Sequence, residues 1–300
     1  MNSKLILLGM FFVACSAALF FSISSPKLTE YENLATLTAE FENGEKIFLA
    51  SGCGSCHSDP QASPEQKTVL AGGQLFETPF GRFYAPNIST SKQNGIGNWN
   101  LSDFERAVRQ GVSPDGAHYF PVFPYTAYQH MKDQDLVDLW AYWQSLPASE
   151  QASKNHDLPM LFGIRRNVGV WKWMFVEPGL TITGELSLME EQGRYLVEAL
   201  GHCGECHTPR NALGALQTTN WLAGAKNPTG KGRIPNITPA ELTWSEEEIS
   251  EYLYSGFTPE FDMVGGHMAL VVENLAQLSQ SDRDAIVQYL KKIPAIANQK

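Results

Sequence analysis

The sequence predicts a mainly α-helical protein, two copies of one helical module in tandem behind a single membrane-length N-terminal helix. Three observations predict it. Leu5 to Ile23 is 19 residues without a charge. Short motifs recur later in the chain in the same order, with Cys-x-x-Cys-His pentads starting at Cys53 and Cys203, 150 residues apart. No stretch sustains the apolar–polar alternation of a half-buried strand.

The N-terminal segment, 1–26, comes first. At 1.5 Å per residue its uncharged run reaches about 28 Å, close to the hydrocarbon thickness of a bilayer. Lys4 precedes it, which keeps the short N-terminus cytoplasmic and sends the rest across. A cleaved secretory signal is the competing reading, with Ser22 and Ser24 offering a weak cleavage site. Cys15 reads as an ordinary cysteine within this segment.

The repeat divides the remainder into modules at 38–148 and 185–298, joined by 149–184. Glu42-Asn43-Gly44-Glu45-Lys46-Ile47-Phe48 precedes the first pentad, and Gln192-Gly193-Arg194-Tyr195-Leu196 the second. Downstream come Pro86-Asn87-Ile88 and Pro235-Asn236-Ile237, then Trp99 and Trp244, each followed 12 residues later by a glycine, Gly111 and Gly256. Each module should open with a helix that runs into its pentad. Ser245-Glu246-Glu247-Glu248 is a capping box, and Gly256 a fitting stop for the middle helix; Ser102 to Gln110, closed by Gly111, is its partner. Leu136, Leu139, Trp140 and Trp143, like Ile286, Tyr289, Leu290 and Ile293, have helical spacing, with Asp133 and Asp282 in first turns that suit acids. The join is not Gly/Ser-rich. Its Leu158–Phe162 and Trp171–Phe175 runs are expected to pack over the modules, or else to dock a partner subunit.

The pentads carry the chemistry. Two thiols one helical turn apart can add across the vinyl groups of a haem, and a histidine following at once reaches the iron from one face. A four-cysteine zinc site or a redox dithiol are the alternatives, but neither requires histidine directly after both pairs. The expected cofactors are therefore two haem c, held by Cys53, Cys56 and His57 and by Cys203, Cys206 and His207. Attachment of haem c takes place outside the bacterial cytoplasm, so an exported protein is implied. With 22 Lys+Arg against 32 Asp+Glu and a net charge of −10, nucleic acid is not an expected partner.

Pro114-Asp115-Gly116-Ala117-His118-Tyr119-Phe120-Pro121-Val122-Phe123-Pro124-Tyr125 and Gly201-His202-Cys203-Gly204-Glu205-Cys206-His207-Thr208-Pro209-Arg210-Asn211 resemble a known family. It is the tandem class I dihaem cytochromes c, similar to the membrane-associated cytochrome c subunits of bacterial periplasmic dehydrogenases. The resemblance implies two tandem class I cytochrome c domains after an N-terminal transmembrane helix. It implies that the Gly44/Phe48 helix crosses the last helix of its module at Tyr142, and that the carbonyls of Pro86 and Pro235 accept hydrogen bonds from His57 and His207. By analogy Trp99 and Trp244 meet a haem propionate or simply pack, while Arg82, Lys231 and Arg233 pair with propionates or stay solvated.

A carrier's iron needs a second axial ligand, and methionine opposite histidine raises the potential. In the second module the resemblance and the glycine-rich Val264-Gly265-Gly266-His267-Met268 loop point to Met268. The first module departs from the family, which has Pro-x-Met-Pro-Tyr where this chain has Phe123. Met131 is the methionine left in that region and is the expected ligand; His118, His130 and an open iron are the alternatives.

The expected function is single-electron transfer at the periplasmic face of the inner membrane, from a periplasmic dehydrogenase towards a terminal oxidase or soluble cytochrome. The competing reading is a dihaem enzyme, peroxidase-like or thiosulfate-oxidising, with an open or labile first haem. A sensor would need an output domain, and none is recognisable.

Overall fold

The computed structural model describes residues 3–29, 33–228 and 232–298. Lys231, weighed above as a propionate partner, lies outside them. The described chain is mainly helical. Helix α1 spans Ser3–Ser24, and Lys4–Ser24 is long and apolar enough to cross a membrane, exposed along its length as far as Ser22.

Helix α2 (Phe41–Ala50) leads through Gly52, at φ +62°, into the short α3 (Cys53–His57). Gly44 is required where α2 crosses α6 (Asp133–Trp143): a Cβ there would lie 2.1 Å from the Asp138 carbonyl oxygen and 2.8 Å from Tyr142 Cβ. The Phe48 and Tyr142 rings meet beside it, 5.3 Å between centroids. The second half repeats this crossing. Helix α8 (Leu188–Arg194) continues as a π-turn, Tyr195–Leu200, towards α9 (Gly204–His207). A Cβ on Gly193 would lie 1.9 Å from the Ala285 carbonyl oxygen and 2.7 Å from Tyr289 Cβ of α12 (Gln280–Lys292).

The middle helices end as their sequences dictate. Helix α4 (Leu101–Gln110) opens on an Asn100/Asp103 capping box and closes at Gly111, φ +58°. Helix α10 (Glu246–Ser255) opens on Ser245/Glu248 and closes at Gly256, φ +78°. These boxes satisfy backbone N–H groups that a bare helix start leaves orphaned. Short α5 (Tyr125–Tyr128) and longer α11 (His267–Leu275) precede the last helix of each half. One continuous apolar core runs through both halves, taking Phe48, Leu136 and Trp143 from one and Leu200, Ile286 and Tyr289 from the other.

Two features differ from expectation. Short hairpins are present, β1 (Leu75–Thr78) with β2 (Gly81–Tyr84), and β3 (Ala225–Lys226) with β4 (Arg233–Ile234). Strands of two to four residues are too short to show a period. The join also contains a helix, α7 (Arg165–Phe175), seated on the end of α1. Arg166 Nε donates to Ser24 Oγ at 3.0 Å and Nη2 to Ser25 Oγ at 2.9 Å, with the guanidinium 5.1 Å from the Phe21 ring. Gly169 allows α7 to approach the Ser24 carbonyl, which also meets His118 Nε2 at 3.0 Å.

Two candidate haem sites

Each attachment motif is presented by a sharp turn. Gly52 supplies the first; in the second, His202 takes φ +38°, costly for a residue with a Cβ, and its partly buried ring packs edge-on against Tyr128 at 5.5 Å. The turns place Cys53, Cys56 and His57 on one helical turn, and likewise Cys203, Cys206 and His207.

The histidines are oriented alike. His57 Nδ1 lies 2.9 Å from the Pro86 carbonyl oxygen, and His207 Nδ1 lies 2.8 Å from that of Pro235. A carbonyl only accepts, so Nδ1 carries the proton and Nε2 keeps its lone pair for a metal. The histidine carbonyls accept in turn from Gly72 N at 2.6 Å and Gly224 N at 2.7 Å. A Cβ on Gly72 (φ +77°) would sit 2.5 Å from the Pro86 carbonyl carbon, and one on Gly224 (φ +80°) 2.8 Å from Asn236 N.

The Pro-Asn-Ile motif acquires a role for every residue. The proline carbonyl holds the histidine. Asn87 Nδ2 donates to the carbonyls of Ser149 (2.8 Å) and Gln151 (2.7 Å); Asn236 Nδ2 donates to that of Ile296 (2.7 Å). Ile88 N donates to Leu70 O and Ile237 N to Leu222 O, each at 3.0 Å. The asparagines and glycines were not singled out from the sequence, although the repeated motif was the signal that could have found the asparagines.

This donor set fits haem c: paired thiols, an imidazole with a directed lone pair, and a glycine-lined approach behind it. Burial pushes the Cys53 thiol to about 12, Cys56 to about 11 and Cys203 to about 12. Those are not the acidic thiols that dithiol exchange uses. Burial also lowers His57 and His207, keeping them neutral, the ligating form. Among the described residues no cluster of three or more His, Cys, Asp or Glu side chains could hold a bare metal ion.

The two motifs meet across the halves. Thr126 Oγ1 of α5 donates to Glu205 Oε1 at 2.9 Å, inside the second motif. Asn274 Nδ2 of α11 donates to Ser55 Oγ at 2.8 Å, inside the first. Lys67 and Glu273 form an ion pair nearby.

The remaining candidates separate. Met268 lies in the first turn of α11 after Gly266 (φ +61°), partly buried against the core. Met131 is 3% exposed in the turn before α6; its N–H donates to Tyr128 O at 2.9 Å, and Arg109 donates to its carbonyl. Leu278 has the same place before α12, with N–H to Leu275 O at 3.1 Å and its carbonyl held by Arg283 Nη1 at 2.6 Å. His130 is half-buried and lines a cavity with Trp171, Phe175 and Glu177. Trp99 and Trp244 pack against the core. Arg82 is paired with Glu77 and Asp157, and Arg233 is exposed on β4.

The family described as Cytochrome c matches residues 41–147. The chain is 50% identical over 289 residues to a protein named diheme cytochrome c-type of Cereibacter sphaeroides, covering 96% of this chain and 97% of that one. It is 36% identical over 261 residues to the fructose dehydrogenase cytochrome subunit of Gluconobacter japonicus, covering 85% of this chain and 52% of that subunit. It is 32% identical over 267 residues to the gluconate 2-dehydrogenase cytochrome c subunit of Pantoea cypripedii, covering 85% and 59%.

Proposed function

Since the chain belongs to the dihaem c-type cytochromes, we propose that it is a periplasmic electron-transfer protein anchored in the inner membrane. It takes single electrons from a dehydrogenase and passes them to a terminal oxidase or soluble cytochrome. The observation that carries this is the pairing of two oriented histidine sites whose attachment motifs bond to each other's half, Thr126 to Glu205 and Asn274 to Ser55. Such contacts hold the two attachment motifs beside each other.

Bound haem c supplies a one-electron iron couple. The chain's residues do the rest. Cys53, Cys56, Cys203 and Cys206 would attach it and His57 and His207 would ligate its iron, while the Pro86 and Pro235 carbonyls orient the two rings and raise their basicity. Met268, partly buried in the first turn of α11, would complete the coordination of the second iron. The modules 38–148 and 185–298 are tandem class I domains, a reading supported by the matching glycine crossings at Gly44 and Gly193. The dehydrogenase partner is supported by similarity to dehydrogenase cytochrome subunits.

Anchoring is supported by the 21-residue apolar span of α1. It is supported also by the apolar run just ahead of α7, where Met160 is 83% and Leu161 66% exposed, since α7 itself is seated on the end of α1. Reduction of the purified holoprotein by a periplasmic dehydrogenase extract and reoxidation by oxidase-containing membranes tests the carrier reading; a reduced protein that no such oxidant reoxidises refutes it. N-terminal sequencing of the membrane-bound protein tests the anchor, and a mature chain starting near Lys27 refutes it.

A further inference from the structure

We propose that the first haem has no methionine ligand: Phe123 covers the sixth position of its iron, leaving that position open to a small neutral diatomic of the carbon monoxide class. The inference rests on the haem reading above and concerns which side chains of this chain face that group.

The argument is one of register. After Gly111 and after Gly256 the chain makes the same turn. Val112 bridges His118 as Phe257 bridges Met263. Tyr119 N donates to Gly111 O, and Val264 N to Gly256 O, both at 2.8 Å. Carried onward at the same spacing, Phe123 stands where Met268 stands. Both are partly buried against the core that also packs Cys53 and Cys203.

Met131 falls out of this register. It stands where Leu278 stands, with its carbonyl gripped by an arginine as Leu278's is, so its side chain fills core volume as a leucine does. The histidines are engaged elsewhere. His118 Nε2 is bonded to the Ser24 carbonyl, and the Gly169 backbone packs against its ring. His130 faces the cavity beside Trp171 and Glu177.

Phe123 offers iron no lone pair. Its ring is held by those of Tyr119 (6.0 Å), Tyr125 (6.3 Å) and Tyr128 (5.9 Å). Tyr128 in turn donates its hydroxyl to the Ser51 carbonyl at 2.7 Å, just ahead of Cys53. The aromatic lid is thereby tied to the attachment motif. An apolar lid disfavours charged or strongly hydrated ligands, which would lose their solvation beneath it, and it accepts a neutral diatomic.

The test uses the full-length holoprotein in detergent, with haem counted first. The dithionite-reduced protein is titrated with carbon monoxide and followed by absorption; the oxidised protein is examined by electron paramagnetic resonance. The expected result is carbon monoxide uptake by half the haem and a high-spin signal from half the iron. Phe123→Met should abolish both, Met131→Leu should leave both unchanged, and Met268→Leu should double the uptake. No uptake by the wild-type protein overturns the proposal, as does new uptake in Met131→Leu, and neither needs the Phe123 variant to fold. A chain bearing a single haem overturns instead the reading on which the proposal rests.

Discussion

Replacing Gly44 by alanine pits two opposing effects against each other. In a free helix the change is favourable by about 1 kcal/mol. Here the new Cβ would lie 2.1 Å from the Asp138 carbonyl oxygen, with Tyr142 Cβ at 2.8 Å. Ordinary carbon–oxygen contact needs roughly 3.4 Å, so α2 and α6 must separate by on the order of 1 Å, and a packed core resists such a shift. Separation loosens Ile47, Phe48 and Tyr142, all buried. Overpacking of this kind costs about 1–3 kcal/mol or more, and it outweighs the propensity gain. At about 2–4 °C per kcal/mol for a chain of this size, a net cost of about 1–2 kcal/mol should lower Tm by about 2–8 °C. Thermal unfolding of the holoprotein by far-UV circular dichroism measures it. Gly193→Ala should behave alike, because its Cβ would approach the Ala285 carbonyl at 1.9 Å. Gly179→Ala, with nothing within 4 Å of the new Cβ, is the control. A Gly44→Ala protein melting at or above the wild-type temperature would refute the reasoning, since the crossing would then have slack.

Other consequences are equally open to measurement. Asn236→Ala removes the donor to Ile296 O and the acceptor for Thr238 N, and should cost about 1–3 kcal/mol in denaturant unfolding; no change in midpoint would dismiss its role as a tie. Arg166→Ala frees the end of α1 from α7 and should speed proteolysis between α1 and α2 without altering the haem spectrum. Burial raises the Glu105 carboxyl to about 7, so folding favours its protonated form. Its contribution is full below the ordinary carboxyl range and lost as pH rises towards 7, on the order of 3 kcal/mol in all. Glu105→Gln should flatten stability between pH 5 and 8, and an unchanged slope would contradict the assignment. With methionine only at the second iron, potentiometry should show two waves, and Met268→Leu should lower the upper one.

Much of this was legible because it is written locally. The pentads, the Ser245/Glu248 box and the stops at Gly111 and Gly256 depend on neighbours a few residues away, and each forms where the sequence puts it. The two histidine–proline bonds followed from family resemblance rather than from spacing. What stayed hidden depends on distant partners or on very short elements. The hairpins are too brief to show alternation. Helix α7 is rich in β-branched and aromatic residues, which are modest helix formers, and gains its support from α1. Met131 was singled out as the methionine left in its region. Distance along the chain cannot tell a ligand from a core side chain, and only the pairing of Val112 with His118 and Phe257 with Met263 sets the register.

The joint between α1 and α7 would set how the proposed anchored protein searches for its partners. An anchor that ended in a loose chain would be a leash, letting the haem-bearing body tumble and present any face at varying heights. Here Arg166 grips Ser24 and Ser25, His118 meets the Ser24 carbonyl, and Gln110 trades hydrogen bonds with the backbone of Thr29 just beyond. The helix becomes a strut. In the proposed anchored form, tilting it would tilt the whole body, so both iron sites would keep a set height over the bilayer. Encounters with partners in the same membrane would then reduce to lateral drift and rotation about one axis.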